Sequence, residues 1–315
     1  MALPGGHVCA HRALLGCGLS ATLDISLKPR AERRFRIPWP VLAFLPITLL
    51  DLVLFTLPML VMGIASVLVI REFHVSMELT ARSYLFFLGS PLYLTILGKT
   101  ALLALGVTAA CLVLAYPFAI FLTKLPRSIQ RTMLVLVILP FWTSYLLRVY
   151  AWMTLLGESG LINRGLVGLG IIDEPLRFLL YNNFSVVLVS VYLYLPYAAL
   201  ALYTTLERLD PSLIRAARDL GAKPWQVFWH VTLPLTLPGV FASFIFVFIP
   251  MVGEYVTPAL VGGSRGLMIV NIVVSQVQAL RFGVASAMAF VIVALILCLV
   301  LVLRRAARLE RVFGV

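Results

Sequence analysis

The chain has 315 residues, 62% of them apolar and 12% charged, and a formal net charge of +12. A mean hydropathy of +1.03 is more than a soluble core of this length absorbs, which excludes a soluble enzyme and makes the chain an integral membrane protein in contact with lipid. The basic excess, which in a soluble protein would suggest nucleic acid, follows here from membrane topology, and no nucleic acid is expected as a partner.

Windows of about 20 apolar residues mark six predicted spans, at roughly 41–70, 91–122, 132–156, 183–206, 238–260 and 284–303. Residues 1–40 form a basic leader that ends in Ile37-Pro38-Trp39-Pro40, where two prolines forbid a helix and a tryptophan suits the headgroup level. It is expected to be a cytoplasmic tail. Leu14-Leu15-Gly16-Cys17 faintly resembles a lipidation site, but the apolar run before Cys17 is too short for a signal sequence. A short segment near 71–90 leads to the second span, and a tight turn at Lys124-Leu125-Pro126-Arg127 closes it. The third and fourth spans are joined by a link in which Gly157, Gly160, Gly165, Gly168 and Gly170 favour turns. After the fifth span, Met268–Val274 is too short to cross and apolar enough to lie at the membrane surface. Residues 304–315 form a second basic tail. The predicted domains are therefore a tail at 1–40, a six-helix domain at 41–303 and a tail at 304–315.

With both ends cytoplasmic, the inside segments hold 17 Lys and Arg residues and the outside loops only 6, the asymmetry that orients membrane proteins. Cys9, Cys17, Cys111 and Cys298 lie in separate places and read as unpaired.

The polar segment 207–237 is the most informative interruption of this pattern. Asp210 is a good N-cap, Pro211 a good first helical residue and Gly221 a good left-handed stop, which predicts a helix over 211–220. Leu213, Ala216, Ala217 and Leu220 share one face, with Arg215, Arg218 and Asp219 displaced around it. A second helix begins at Pro224, and Pro234 and Pro238 are expected to break the backbone into a rigid elbow. A helix terminated this carefully outside the bilayer suggests a place where another protein transmits force.

Four ionisable residues lie inside apolar windows: Asp51, Lys99, Arg148 and Glu254. Each is costly there unless it faces a partner or water, so each is a candidate for a transport route. Taken outward along straight helices at 1.5 Å per residue, Arg148 and Glu254 both lie about 24 Å along their spans. Two readings follow: an Arg148–Glu254 ion pair tying two helices together, or a Glu254 that faces the route and attracts a cationic amine. Trp142, Tyr145, Tyr150, Trp152 and Tyr255 fall at a similar depth, either as an interfacial aromatic belt or as cation-binding faces along the route. Enzyme motifs are missing. Gly98-Lys99-Thr100 looks like the end of a phosphate-binding loop, but Tyr93 stands where glycine is needed. His7, His11, His74 and His230 have neither metal-ligand spacing nor a nucleophile beside them, so the chain is expected to bind no metal or cofactor.

The spacing Ala216-Ala217, Gly221, Val231, Leu233-Pro234 resembles the EAA loop of the transmembrane subunits of binding-protein-dependent ABC importers, differing at Arg215, where that family's motif has Glu. The stretches Pro140–Trp152, Gly160-Leu161-Ile162-Asn163 and Gly253–Gly263 are similar to the polyamine (spermidine/putrescine) permease branch, and together the likeness covers most of 41–305. The resemblance implies a type I importer permease fold, all-α with six transmembrane helices, in a bacterial inner membrane with both termini cytoplasmic. It implies that Arg215, Ala216, Ala217, Asp219, Gly221, Leu233 and Pro234 couple to an ATPase dimer, which itself carries ATP and Mg. It further implies a second, non-identical permease subunit and a periplasmic binding protein that delivers substrate, with Glu254, Tyr255, Trp142, Tyr145, Tyr150, Trp152 and Asp51 as candidate route residues. Asp51 has the weaker claim, since the first span is peripheral in this class. The rival expectations are another small solute, ferric iron or a phosphonate, and from other classes an ion-gradient-driven transporter or an intramembrane enzyme.

Overall fold

The computed structural model describes residues 39–71 and 74–312. The basic leader before residue 39, with Cys9, Cys17, His7 and His11, lies outside them, as do residues 313–315. The chain divides into two units, residues 1–53 and 54–315. The described part of the first is helix α1 (Trp39–Asp51), with Pro40 in its opening turn, where no intrahelical N–H bond is lost. Asp51 ends it with an exposed side chain.

A π-helical turn (Leu52–Thr56) leads into α2 (Leu57–Val67). Residues 46–67 form the first stretch long and apolar enough to cross a membrane. Leu57, Leu60, Val61 and Ile64 on α2 are all more than half exposed, as side chains that face lipid are. The segment expected as a simple outside link is structured instead. Strands β1 (Leu68–Arg71) and β2 (His74–Leu79) pair antiparallel, with Val69 opposite Ser76 and Arg71 opposite His74, followed by α3 (Arg82–Leu88).

Helix α4 (Pro91–Lys124) has 34 residues, about 51 Å at 1.5 Å per residue, well beyond the hydrocarbon thickness. The expected third span is not one straight helix. Helix α5 (Arg127–Ile138) tightens into a 3₁₀ turn (Leu139–Trp142), the chain extends at Thr143 and Ser144, and α6 (Tyr145–Leu156) restarts with a 90° change of direction. Pro140 supplies the reason, since it lacks the N–H that would continue the α-helical ladder. Helix α7 (Leu161–Gly168) follows, and Asn163 ties its loop by donating to Gly157 O (3.0 Å) and accepting from Leu176 N (2.8 Å).

Helix α8 (Asn183–Leu206) opens on a complete capping box: Asn182 Oδ1 accepts from Phe184 N and Ser185 N, and Ser185 Oγ accepts from Asn182 N. Helix α9 (Pro211–Asp219) is the predicted polar helix. Helix α10 (Pro224–Val227) continues through a π-helical turn (Phe228–Thr232) into α11 (Leu233–Val252), so 224–252 is one helix of 29 residues. This corrects the expected elbow at Pro234 and Pro238. Pro234 falls in the first turn after the π-helical turn, where the widened ladder accommodates its missing N–H. It also corrects the fifth span, which ends at Val252 rather than near 260. Short helix α12 (Val256–Val261) follows.

The short apolar segment after the fifth span is helix α13 (Ile269–Gln278). Met268 and Ile269 are fully buried, and Ile269 N donates to Thr100 Oγ1 of α4 at 2.9 Å, so the start of this segment packs on α4. Helix α14 (Phe282–Val312) runs through the expected C-terminal tail. Among the described residues five helices are long and apolar enough to cross, six with the bent α5–α6 pair taken as one. Cys111 is buried and Cys298 exposed, both free.

The core is the mutual packing of α4, α8 and α11. Its contact surfaces are rich in small residues, Ala104, Thr108, Cys111, Ala115 and Ala119 on α4 and Ser190, Ala198 and Ala199 on α8, which let backbones approach where lipid provides no hydrophobic drive. Polar groups stitch the same surfaces: Ser243 Oγ donates to Ala198 O (3.0 Å), and Tyr116 Oη meets Thr236 Oγ1 at 2.5 Å. The only ion pair among the described residues joins exposed Arg177 and Glu158 at 3.8 Å. Gly239 marks a close crossing of α11 on α8, because a Cβ there would fall 2.7 Å from Thr205 Cβ. Gly239→Ala is therefore expected to destabilise the protein by about 1–3 kcal/mol, read as a lower melting temperature of the purified protein, and Thr205→Gly in the same chain is expected to restore it. An unchanged melt for Gly239→Ala would refute the close crossing.

Candidate functional site

The first candidate site is α9 with its flanking turns. Asp210 accepts from Ser212 N at 2.8 Å. That N–H, together with the charge of Arg215, holds the Asp210 carboxyl below its ordinary range. Its contribution to the helix is present above the unfolded Asp value and is lost only as pH falls through the lowered folded value. At the other end Gly221 takes φ +85°, Gly221 N donates to Arg218 O (2.9 Å) and Ala222 N to Ala217 O (3.1 Å). This pair of bonds is a complete Schellman stop.

Both ends are thus fastened locally, while the apolar face is left open. Leu213 is 45% and Leu220 88% exposed, and Ala216 is exposed between the exposed charges of Arg215 and Asp219. Beside it lies a hollow of about 430 Å³ lined by Leu220, Gly221, Ala222, Gln226, His230 and Val231. His230 Nδ1 lies 3.0 Å from Gln226 O, a structural contact. The exposed Trp225 and Trp229, edge to face at 5.2 Å, flank this region and were not singled out from the sequence. Leu233 and Pro234 start α11 and are half-buried, joining this surface to the core.

The second candidate site surrounds Glu254. It lies between α11 and α12, in a helix break rather than within a span, and is 6% exposed. Its Oε1 accepts from Val256 N (3.0 Å) and Thr257 N (3.1 Å), the free amides that open α12, and its Oε2 accepts from Tyr194 Oη at 2.6 Å. Tyr145 Oη meets Thr257 Oγ1 at 2.8 Å, close enough to feel the charges of both Glu254 and Arg148. Asn271 donates to Tyr255 O (3.0 Å) and accepts from Met268 N (3.1 Å), anchoring the break to α13. Lys99 is explained by the same fastening: its Nζ donates to Arg265 O and Leu267 O, just ahead of α13.

The Arg148–Glu254 ion pair is not formed. The bend at 143–144 removes the straight helix on which their equal depth rested, and Arg148 instead lays its guanidinium over Phe141 (5.4 Å) and Tyr145 (5.9 Å). Of the aromatic candidates, Tyr145 joins the cluster and Tyr255 adjoins it through the chain, 39% exposed. Trp142 (82% exposed) and Tyr150 stand free, while Trp152 packs edge-on against Tyr192 at 5.3 Å. Asp51 belongs to the other unit. Tyr194 and Tyr197 were missed, although Tyr192-Leu193-Tyr194-Leu195-Pro196-Tyr197 is an unusual concentration of hydroxyls for an apolar span.

A bundle of apolar crossings, a polar helix fastened at its own ends with an open apolar face, and a buried acid in a broken helix fit a membrane permease worked by a separate protein. Residues 115–311 match the family described as "Binding-protein-dependent transport system inner membrane component". The spermidine/putrescine transport system permease protein PotB of Escherichia coli (strain K12) is 40% identical over 222 residues, 70% of this chain and 80% of that protein. Its counterpart from Haemophilus influenzae is 37% identical over 223 residues, 70% of this chain and 77% of that protein. Among solved structures, a chain of a bacterial alginate ABC transporter in complex with an alginate pentasaccharide-bound periplasmic protein superposes with a TM-score of 0.65 at 17% identity, covering 85% of this chain and 95% of that one. The chain belongs to the binding-protein-dependent transport system inner membrane component family. It is a multi-pass permease subunit of an ABC importer that works with an ATPase and a substrate-binding protein, and it is not itself an enzyme.

The Glu254 geometry predicts strong coupling between two side chains. Tyr194→Phe leaves the buried carboxylate one donor short, at a cost of about 1–3 kcal/mol. Combined with Glu254→Gln, the two losses are expected to fall short of additivity by more than about 0.5 kcal/mol in a double-mutant cycle of unfolding free energies. Strict additivity would rule out the contact.

Proposed function

We propose that this permease carries linear polyamines, spermidine or putrescine, handed to it by a periplasmic binding protein. The observation that supports this most is the 40% identity over 222 residues to permeases named for those substrates. The chemistry agrees with it: a chain of ammonium groups suits a route that offers a buried carboxylate with aromatic faces nearby, here Glu254 with Tyr145, Tyr194, Tyr197 and Tyr255. Since three donors already hold the Glu254 carboxylate, its part is to supply a fixed negative field rather than a free ligand.

In this reading a second, non-identical permease completes the pathway, and both termini and α9 face the cytoplasm, as the distribution of Lys and Arg favours. ATP with Mg closes the ATPase dimer, α9 moves with it through Leu213, Ala216, Ala217 and Leu220, and the continuous helix 224–252 carries the movement into the α4–α8–α11 core. Only contacts that differ between the inward-open and outward-open states drive such a switch.

Uptake into proteoliposomes holding the whole importer and its binding protein tests the substrate. Labelled spermidine or putrescine is expected to enter in an ATP-dependent way, and Glu254→Gln to reduce the rate at least about tenfold, the effect of some 1.4 kcal/mol. Transport of ferric iron or a phosphonate in place of polyamine, undisturbed by Glu254→Gln, would overturn the proposal. Coupling has its own test: Ala217→Trp should abolish uptake while the permease still assembles in the membrane, since a large side chain blocks close approach at that face. Undiminished uptake would remove α9 from the transmission path.

A further inference from the structure

We infer that Arg148 is a tethered competitor for the transported ammonium group. It occupies the Phe141–Tyr145 face while no substrate is present, is displaced when an amine arrives, and so keeps the permease's own hold on its cargo weak. The inference rests on the polyamine reading above.

Arg148 pairs with no acid among the described residues. The guanidinium lies 5.4 Å from the Phe141 ring centroid and 5.9 Å from that of Tyr145, and its buried Nε has no hydrogen-bond partner. Glu254, the acid in the same aromatic cluster, has its oxygens committed to Tyr194 and two backbone amides. An unpaired cation within an apolar crossing is costly, so a purely structural role would call for a paired or neutral side chain. The two rings that carry Arg148 form part of a larger aromatic surface. Tyr197 meets Phe141 edge to face at 4.7 Å, and Tyr194, whose hydroxyl holds Glu254, stands 6.3 Å from Tyr197. A flat face of this kind accepts any cation of suitable size, guanidinium or alkylammonium alike.

Placement favours displacement over permanent stacking. Phe141 belongs to the 3₁₀ turn before the 90° break and Tyr145 and Arg148 to the first turn after it, so a change in that bend separates the ring from the cation. With Arg148 on the face, an incoming ammonium meets a like charge as well as an occupied ring. A carrier benefits from this, because a cargo bound tightly by the aromatic cluster would leave slowly.

The test uses the whole importer in lipid nanodiscs, without its binding protein, and measures equilibrium binding of labelled spermidine. Two like charges about 6 Å apart at an effective dielectric near 20 imply roughly a 100-fold penalty. Arg148→Met and Arg148→Gln, which both remove the charge, are expected to bind spermidine about 100-fold more tightly than the unaltered complex. Arg148→Lys should bind as the unaltered complex does, and a neutral diol of similar length should bind all four alike. Turnover of the neutral variants should fall as release slows. If the unaltered complex imports spermidine yet neither neutral variant binds it more tightly, the inference fails while the substrate reading stands. Failure of the unaltered complex to import any polyamine removes the substrate reading itself. If the neutral variants lose the second permease on purification, Arg148 answers an acid across that interface, and the inference is likewise overturned.

Discussion

A polypeptide inside a bilayer has no water to satisfy a backbone N–H, so every departure from a helix must bring its own acceptor. The bonds that meet this constraint here are those that the amides of Val256 and Thr257 donate to Glu254. They permit α11 to end and α12 to begin without stranding polar groups, and Tyr194 on α8 fixes the carboxylate in turn. Asn271, Lys99 and Thr100 extend the same logic outward, holding the carbonyls and amides between the break and α13. The acid that the sequence marks as a route candidate is first of all what makes an irregular backbone tolerable at that place.

The polar helix follows the opposite rule. The α4–α8–α11 core is held by close contact of small residues, and its geometry comes from neighbours. Helix α9 buries none of its residues and draws its order from its own ends, an aspartate cap and a Schellman stop. A segment ordered by caps alone keeps its shape while its apolar face stays vacant. That combination of firmness and vacancy suits a surface built for another protein. Arg215 sets an exposed positive charge beside that face.

What the sequence disclosed follows from what is local. Apolar windows and the Asp210, Pro211 and Gly221 signals act within short stretches of chain, and the presence of the apolar helices and the α9 boundaries agreed with them. The failures are of another kind. A straight third span ignored Pro140 and the extended Thr143–Ser144 pair, and every depth argument built on it failed with it, including the Arg148–Glu254 pairing. The fifth span was read from hydropathy alone, which does not register that Gly253–Tyr255 leaves the helix or that the prolines at 234 and 238 sit beside a π-helical turn. Tyr194 escaped because its role depends on which face of α8 meets α11, a relation between distant segments. Periodicity on one strand of sequence does not reveal it.

The scarcity of opposite-charge contacts has a practical consequence. Only Arg177 and Glu158 pair among the described residues, both on the surface, so dissolved ions have almost nothing in the folded bundle to shield. Among the charges that ionic strength does reach are those of Arg215, Arg218 and Asp219, exposed on α9. In the coupling proposed above, salt therefore separates recruitment from integrity: it weakens the grip of the ATPase on α9 at concentrations that leave the subunit's own architecture intact.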